Sequence, residues 1–269
     1  MSSYVITGVS RGIGAAFLKN LASNPSNTVV GLVRSAADTE ARIAEWRTPN
    51  VHILQADVTD YESLKKAAEA TSAITSGSLD YLIANAAMIS RWSSFDPLTV
   101  LGKDPKKLTD DLNDAWNTNV LGNIHLINLF MPLVLKGRVK KVVTITSGMA
   151  DHDLAIKYGI YEGGPYSISK AAMNMVTSKY QAEFEKDGVL FMGICPGMVD
   201  TGIYADLSEE DTKKLEVQGA KFMKYAPHFT GPDNTEDSVK AILGVVESKS
   251  LANGDGGAYV SHFGNKQWI

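Results

Sequence analysis

Short runs of β-branched and apolar residues alternate along the chain with stretches in which apolar side chains recur every three to four positions. The runs fall at 4–7, 28–33, 51–55, 79–84, 141–146, 189–195 and 258–260. Most are nearly continuous in apolar character, as strands are when both faces of a parallel sheet are covered. The helical patterns lie between them, at 13–21, 36–46, 61–74, 112–135, 166–185 and 235–247. Strand and helix in this alternation build right-handed βαβ units. The expected fold is α/β: a doubly wound Rossmann fold with a single parallel sheet of about seven strands, helices on both faces, and one domain over 1–269.

Three connections exceed the usual βα length, at 88–111, 148–165 and 197–234, and each follows a predicted strand. Long loops in compact domains tend to carry function. All three should emerge at the carboxyl edge of the sheet, where open α/β sheets bind ligands. Within the third, 207–225 reads as a helical lid whose charged face, Glu209 to Lys214, is solvated.

Composition acts mainly by exclusion. Of 269 residues, 44% are hydrophobic and 21% charged, an ordinary globular balance. Twenty-six basic against thirty acidic residues give a net charge of −4 without a basic stripe, which argues against nucleic acid or an anionic membrane as partner. The longest apolar stretch, 124–135, is interrupted by His125 and Asn128 and falls short of a membrane span. No secretory h-region follows the first methionine, so a cytoplasmic protein is expected. The single cysteine, Cys195, allows neither a disulfide framework nor a Cys-rich zinc site, and reads as a small buried hydrophobe. His152, between Asp151 and Asp153, reads as part of a solvated loop, and no metal is expected.

The first strand runs into Thr7-Gly8-Val9-Ser10-Arg11-Gly12-Ile13-Gly14 and then a helix. In that context Gly8 permits the tight turn, Gly12 lets the backbone approach a pyrophosphate, and Gly14 lets the helix pack close to the strand. The helix N-terminus offers its free N–H groups to phosphate. A dinucleotide is the expected ligand. An NAD site usually has an acidic residue at the end of the second strand, but here Val33 and Arg34 stand there, with Arg11 in the glycine loop. Two guanidinium groups suit a 2′-phosphate, so NADP (NADPH) is favoured. Asp38 keeps NAD open as the alternative.

Tyr166 and Lys170 stand four apart at the start of a helix and share a face. A neighbouring ammonium favours the phenolate, which makes the pair suitable for acid/base work. Alone the pair says little. Together with Asn85-Ala86, Asn119, Ser147 and Pro196-Gly197-Met198-Val199-Asp200-Thr201, in this order, it makes the whole chain resemble the single-domain branch of the short-chain dehydrogenase/reductase family. More loosely, the sequence is similar to fungal ketoreductases and C-factor-like proteins.

That resemblance implies an NADP(H)-dependent oxidoreductase acting on a carbonyl compound or secondary alcohol. Tyr166 would be the general acid or base and Ser147 would bind the reacting oxygen. Lys170 would hold the nicotinamide ribose and tune Tyr166, while Asn119 would anchor a water in a proton relay. Beside Gly8, Ser10, Arg11, Gly12, Ile13, Gly14 and Arg34, the implied cofactor contacts are Asp57 and Val58 at the adenine and Asn85 and Ala86 lining the cleft. Pro196, Gly197, Val199 and Thr201 would flank the nicotinamide. Two departures stand out: Ala87 replaces a glycine usual in the family, and Ser147 and Tyr166 are nineteen residues apart, more than in most relatives. Trp92, Phe95, Met149, Tyr158, Tyr161, Met198 and Tyr204 in the long loops could line a pocket for a hydrophobic substrate. The helices at 112–135 and 166–185 correspond to the family's subunit interface, which implies a homodimer or homotetramer. The apolar end, Trp268-Ile269, is expected to pack on its own subunit or a neighbour's. A competitor from another class is a non-catalytic dinucleotide sensor on the same fold.

Overall fold

The computed structural model describes residues 2–269. Seven strands, β1 (Ser3–Thr7), β2 (Thr28–Val33), β3 (Val51–Gln55), β4 (Tyr81–Ala84), β5 (Lys141–Ile145), β6 (Leu190–Cys195) and β7 (Ala258–Ser261), form one parallel sheet in the order β3-β2-β1-β4-β5-β6-β7. The order reverses between β1 and β4, and the crevice above that reversal is where doubly wound sheets bind ligands.

Ten α-helices connect the strands: α1 (Gly12–Ala22), α2 (Ala36–Ile43), α3 (Tyr61–Ile74), α4 (Leu98–Leu101), α5 (Pro105–Trp116), α6 (Gly122–Val134), α7 (His152–Tyr158), α8 (Gly164–Phe184), α9 (Glu209–Tyr225) and α10 (Thr235–Ser248). Successive strand residues feed opposite cores, as the pleat requires. Val5, Leu82 and Val142 face α3, α6 and α8 in one cluster, while Ile6, Ile83 and Val143 face α1 and α10 in the other. A third cluster, at the carboxyl edge, joins Leu154, Ile160, Cys195, Phe222 and Trp268.

The structure corrects three boundaries. The helix expected at 112–135 begins at Pro105, inside the expected loop, because the Asp104 side chain accepts from Lys107 N (3.0 Å) and Pro105 suits a first turn. It is also interrupted by a π-turn over Asn117–Leu121. His152 lies not in a loop but in the first turn of α7, capped by Asp151 accepting from Leu154 N (2.9 Å) and ended by Gly159 at φ 65°. No helix among the described residues is long and apolar enough to cross a membrane.

Candidate active site

The glycine loop follows β1 at the sheet's switch point. Gly8 and Gly12 have φ of 73° and 56°, the left-handed region that favours glycine. A Cβ on Gly14 would lie 2.2 Å from the Gly8 carbonyl oxygen, so no larger residue fits without moving backbone. Asn85, just past β4, braces this turn by donating from Nδ2 to Thr7 O (2.9 Å), while Thr7 Oγ1 accepts from the Asn85 and Ala86 amides. Ala86 lies against Gly8. Ala87 is without positive φ, so the family's glycine is not needed there. Ser10, Arg11 and Ile13 complete the loop into α1, whose first turn carries no side-chain cap.

Asp57 follows β3. Its carboxylate accepts from the Thr59 amide (2.9 Å) and hydroxyl (2.7 Å), and the Thr59 amide above all holds it below the usual aspartate range. Arg34 lies close enough to Asp57 to lower it further. Val58 packs against Gly122, where a Cβ would fall 2.4 Å from the Val58 carbonyl. Asp38, the residue that kept an NAD reading open, is engaged by Ser35 Oγ at 2.6 Å. One residue was missed from sequence: Arg42 of α2 reaches back and donates to Val9 O in the glycine loop (3.1 Å). Its spacing from the loop carried no signal.

On the other side of the crevice, Pro196 O accepts from Ser238 at the start of α10 (2.7 Å). Gly197, at φ 86°, lies against the His262 ring. Val199 bridges to Asp233, and Thr201 lies against Gly12, so the segment after β6 reaches across to the glycine loop.

Ser147 follows β5 after Thr146, in extended conformation, and its hydroxyl accepts from Met149 N (3.2 Å). Tyr166, in the first turn of α8, lies beside the Ser147 side chain, which acts to hold its phenol down. Lys170, one turn further and 3% exposed, donates to Ile145 O at 2.7 Å, with its ammonium 5.7 Å from the Tyr166 ring centre. Burial lowers Lys170 to about 8. Burial also drives the Tyr166 phenol well above the usual tyrosine value, only partly offset by Ser147. Lys170 directs its ammonium to the strand at Ile145 O, and burial is the largest influence on the phenol. A phenol in this state is a proton donor at neutral pH.

Asn119 lies in the π-turn, a distortion common at functional sites. Its side chain accepts from Met88 N (2.7 Å) and donates to Met88 O and Ser169 Oγ (both 2.9 Å). It therefore ties the loop after β4 to α8 beside Tyr166. The four residues of the expected tetrad are thus gathered at one edge by three elements.

Of the aromatic and methionine residues expected to line a pocket, Met149, Tyr158 and Met198 pack in the third apolar cluster. Trp92 is covered by Lys107 (4.9 Å), and Phe95 lies against Tyr204 (5.5 Å). Helix α9 is fastened over the site by Lys214–Asp96 (2.9 Å) and by Lys221, which pairs with buried Glu162 (2.5 Å) above the Tyr161 ring. Arg91 adds bonds to the carbonyls of Ile203 (3.0 Å) and Ala205 (2.8 Å). The charged outer face of α9 is solvated as expected, and its inner face packs through Phe222 in the third apolar cluster.

Comparison with known proteins agrees with this geometry. A family model described as short chain dehydrogenase matches residues 3–212. The chain is 49% identical over 271 residues to the short chain dehydrogenase virK of Hypocrea virens, covering all of both chains. It is 46% identical over 270 residues to the short-chain dehydrogenase/reductase AacuF of Aspergillus aculeatus, again covering all of both. Among solved structures, the NADPH-bound carbonyl reductase from chicken fatty liver superposes with a TM-score of 0.78 over 98% of each chain at 23% identity. The carbonyl reductase Sniffer of D. melanogaster gives 0.78 over 98% of each at 18% identity, and both likenesses speak to fold. With the family model matching residues 3–212 and relatives 46–49% identical along the full chain, this protein is a member of the short-chain dehydrogenase family, an oxidoreductase on a Rossmann fold.

Proposed function

We propose that the protein is an NADP(H)-dependent carbonyl (ketone) reductase. The observation that carries this reading is the placement of the buried Tyr166 phenol beside Ser147 at the carboxyl edge, with Lys170 one turn further along the helix donating to Ile145 O. When bound, the nicotinamide supplies or accepts the hydride. Tyr166, kept protonated by burial, gives its proton to the carbonyl oxygen, and Ser147 donates a hydrogen bond to the same atom. Lys170, still mostly cationic at neutral pH, stabilises the phenolate left behind. Asn119 holds the Met88 loop against α8 and so keeps the site closed on that side.

The glycine cradle and the α1 amides fit a pyrophosphate, and the Asp57 carboxylate fits an adenine amino group. Three exposed arginines, Arg11, Arg34 and Arg42, border the ribose side, while Asp38 is engaged by Ser35. That balance favours a 2′-phosphate and hence NADP over NAD. Thr201 and Val199 close the nicotinamide end. The substrate is a hydrophobic carbonyl compound entering under α9, and neither nucleic acid nor membrane is a partner. The exposed Trp116, Leu121, Ile168 and Met175 on α5, α8 and the turn between α5 and α6 form the face of a homodimer or homotetramer. Residence in the cytoplasm completes the proposal.

The test is consumption of NADPH and, in parallel, NADH across aliphatic, aromatic and polycyclic ketones. Tyr166→Phe should lose roughly 10²–10⁴ in kcat, the usual weight of a general acid, while still binding NADPH. Full turnover in that variant would remove Tyr166 from the mechanism. Equal use of NADH would restore the NAD reading, and cofactor binding with no turnover anywhere would favour a sensor.

A further inference from the structure

We propose that β7 and the carboxyl-terminal tail belong to the catalytic apparatus, with Tyr259 and Trp268 as positioning residues that fix the Ser147 peptide. The inference rests on the reading of Ser147 as the group that binds the reacting oxygen.

Each residue around Ser147 is held by a different element. The Tyr259 hydroxyl donates to the Ser147 carbonyl at 2.6 Å, across 112 residues of sequence. Thr146 Oγ1 donates to Asn174 Oδ1 on α8 at 2.7 Å. Gly193, paired with Tyr259 in the sheet, makes room for this group: a Cβ there would stand 3.3 Å from Asn174 Oδ1 and 3.4 Å from Thr146 Cγ2. The next residue, Gly148, donates to Cys195 Sγ at 3.0 Å, and a Cβ on it would lie 2.6 Å from that of Trp268.

Trp268 in turn stacks on the Tyr259 ring (centres 4.5 Å apart, 23° between planes). It is 3% exposed, and its backbone amide donates to the Tyr225 hydroxyl at 2.8 Å. Trp268 therefore presses Tyr259 into place and blocks Gly148 from moving outward. With its carbonyl fixed by Tyr259 and the following peptide fixed by Cys195 and Trp268, Ser147 can re-aim its hydroxyl only by side-chain rotation. Burial pushes the Tyr259 phenol up, so it stays a donor throughout the pH range in which Tyr166 acts. Packing alone would not require a hydroxyl at position 259; the 2.6 Å bond to the carbonyl beside the reacting group does.

The experiment compares Tyr259→Phe, Trp268→Ala and Trp268→Phe with the wild-type protein. Steady-state kinetics with NADPH and a ketone from the panel are combined with NADPH binding and with amide hydrogen exchange over 146–151. Tyr259→Phe and Trp268→Ala should lower kcat on the order of ten- to a hundredfold, the scale of a small misplacement of a reacting group. NADPH affinity should stay at the wild-type value, exchange should speed up in that segment, and Trp268→Phe should recover most of the loss. Wild-type kcat and wild-type exchange in both damaging variants would overturn the brace. So would a parallel loss of NADPH binding, which would mark general destabilisation. A wild-type protein that reduces no ketone refutes the ketone-reductase reading separately, and the exchange measurement then decides the brace alone.

Discussion

Lys170→Met replaces a buried ammonium by an apolar side chain of similar length, and the structure gives the sign of its effect on stability. Burial lowers Lys170 from 10.5 to about 8, which corresponds to about 3 kcal/mol between its charged and neutral forms. The folded state holds the proton less tightly than the unfolded chain does. The penalty is therefore complete below pH 8 and is relieved as pH rises from about 8 towards 10.5. Against this stands the bond to Ile145 O at 2.7 Å, whose loss orphans a buried carbonyl at a cost of about 1–2 kcal/mol. The variant should thus be more stable than wild type by about 1–2 kcal/mol at pH 7, and less stable by up to about 1 kcal/mol near pH 10, where most of the penalty has gone but the lost bond has not. Urea unfolding of both proteins at pH 7, 8.5 and 10, without cofactor, reads this as a change of sign. A variant less stable by the same margin at all three pH values would refute the argument, because it would mean that Lys170 is not desolvated in the folded protein. Reductase activity should be lost in the same variant, the usual tension between stability and a working site.

Three further outcomes follow from the same geometry. Gly14→Ala forces a Cβ to within 2.2 Å of the Gly8 carbonyl and should weaken NADPH binding by at least about tenfold, some 1.4 kcal/mol, in a fluorescence titration. Unchanged affinity would detach the glycine loop from the cofactor. Arg34→Ala should cost NADPH roughly 1.5–3 kcal/mol of binding, the worth of a charged hydrogen bond, and leave NADH untouched. Equal losses for both cofactors would assign Arg34 no role at the 2′ position. Glu162→Gln breaks the pair with Lys221, whose side-chain exposures are 2% and 17%, and should cost about 2 kcal/mol. That is less than for a fully buried pair, since Lys221 keeps the Tyr161 ring beneath it. A melting temperature within one degree of wild type, with unchanged proteolysis around 202–208, would show that the pair does not fasten α9.

Much of the architecture was legible because it is written in local periods. β2 runs over the residues that its apolar run marks, since a strand covered on both faces must be apolar at nearly every position, and the half-covered edge strand β3 matches its run although it holds His52 and Gln55. Helix α3 likewise matches its pattern, with Asp60 capping its first turn. The glycine loop and the Tyr166–Lys170 spacing were legible for a similar reason: each is a short segment whose chemistry depends on neighbours in sequence. The start of α5 was also available in the Asp104-Pro105 pair but is easily read as loop, because its exposed first turn carries no apolar stripe. The π-turn at Asn119 leaves no mark on the periodic pattern at all.

What the sequence determined by itself, then, is the alternation of strands and helices, the glycine-rich turn and the placing of Tyr166 and Lys170 on one helix face, all set by burial period, turn sterics and spacing within a helix. Only the tertiary structure decided the state of those groups. Whether Tyr166 is a donor depends on how deeply it is covered, and burial is the largest influence on a phenol whose neighbouring ammonium is directed to Ile145. Whether Asp38 is open to a ribose depends on Ser35, and Arg42 reaches the glycine loop only because α2 folds back beside it. The contacts of Tyr259 and Trp268 with Ser147 and Gly148 arise because the sheet order sets β7 next to β6 and lays the tail across the end of β5. Such contacts depend on which distant segments the sheet brings together, and no local pattern of residues encodes that proximity.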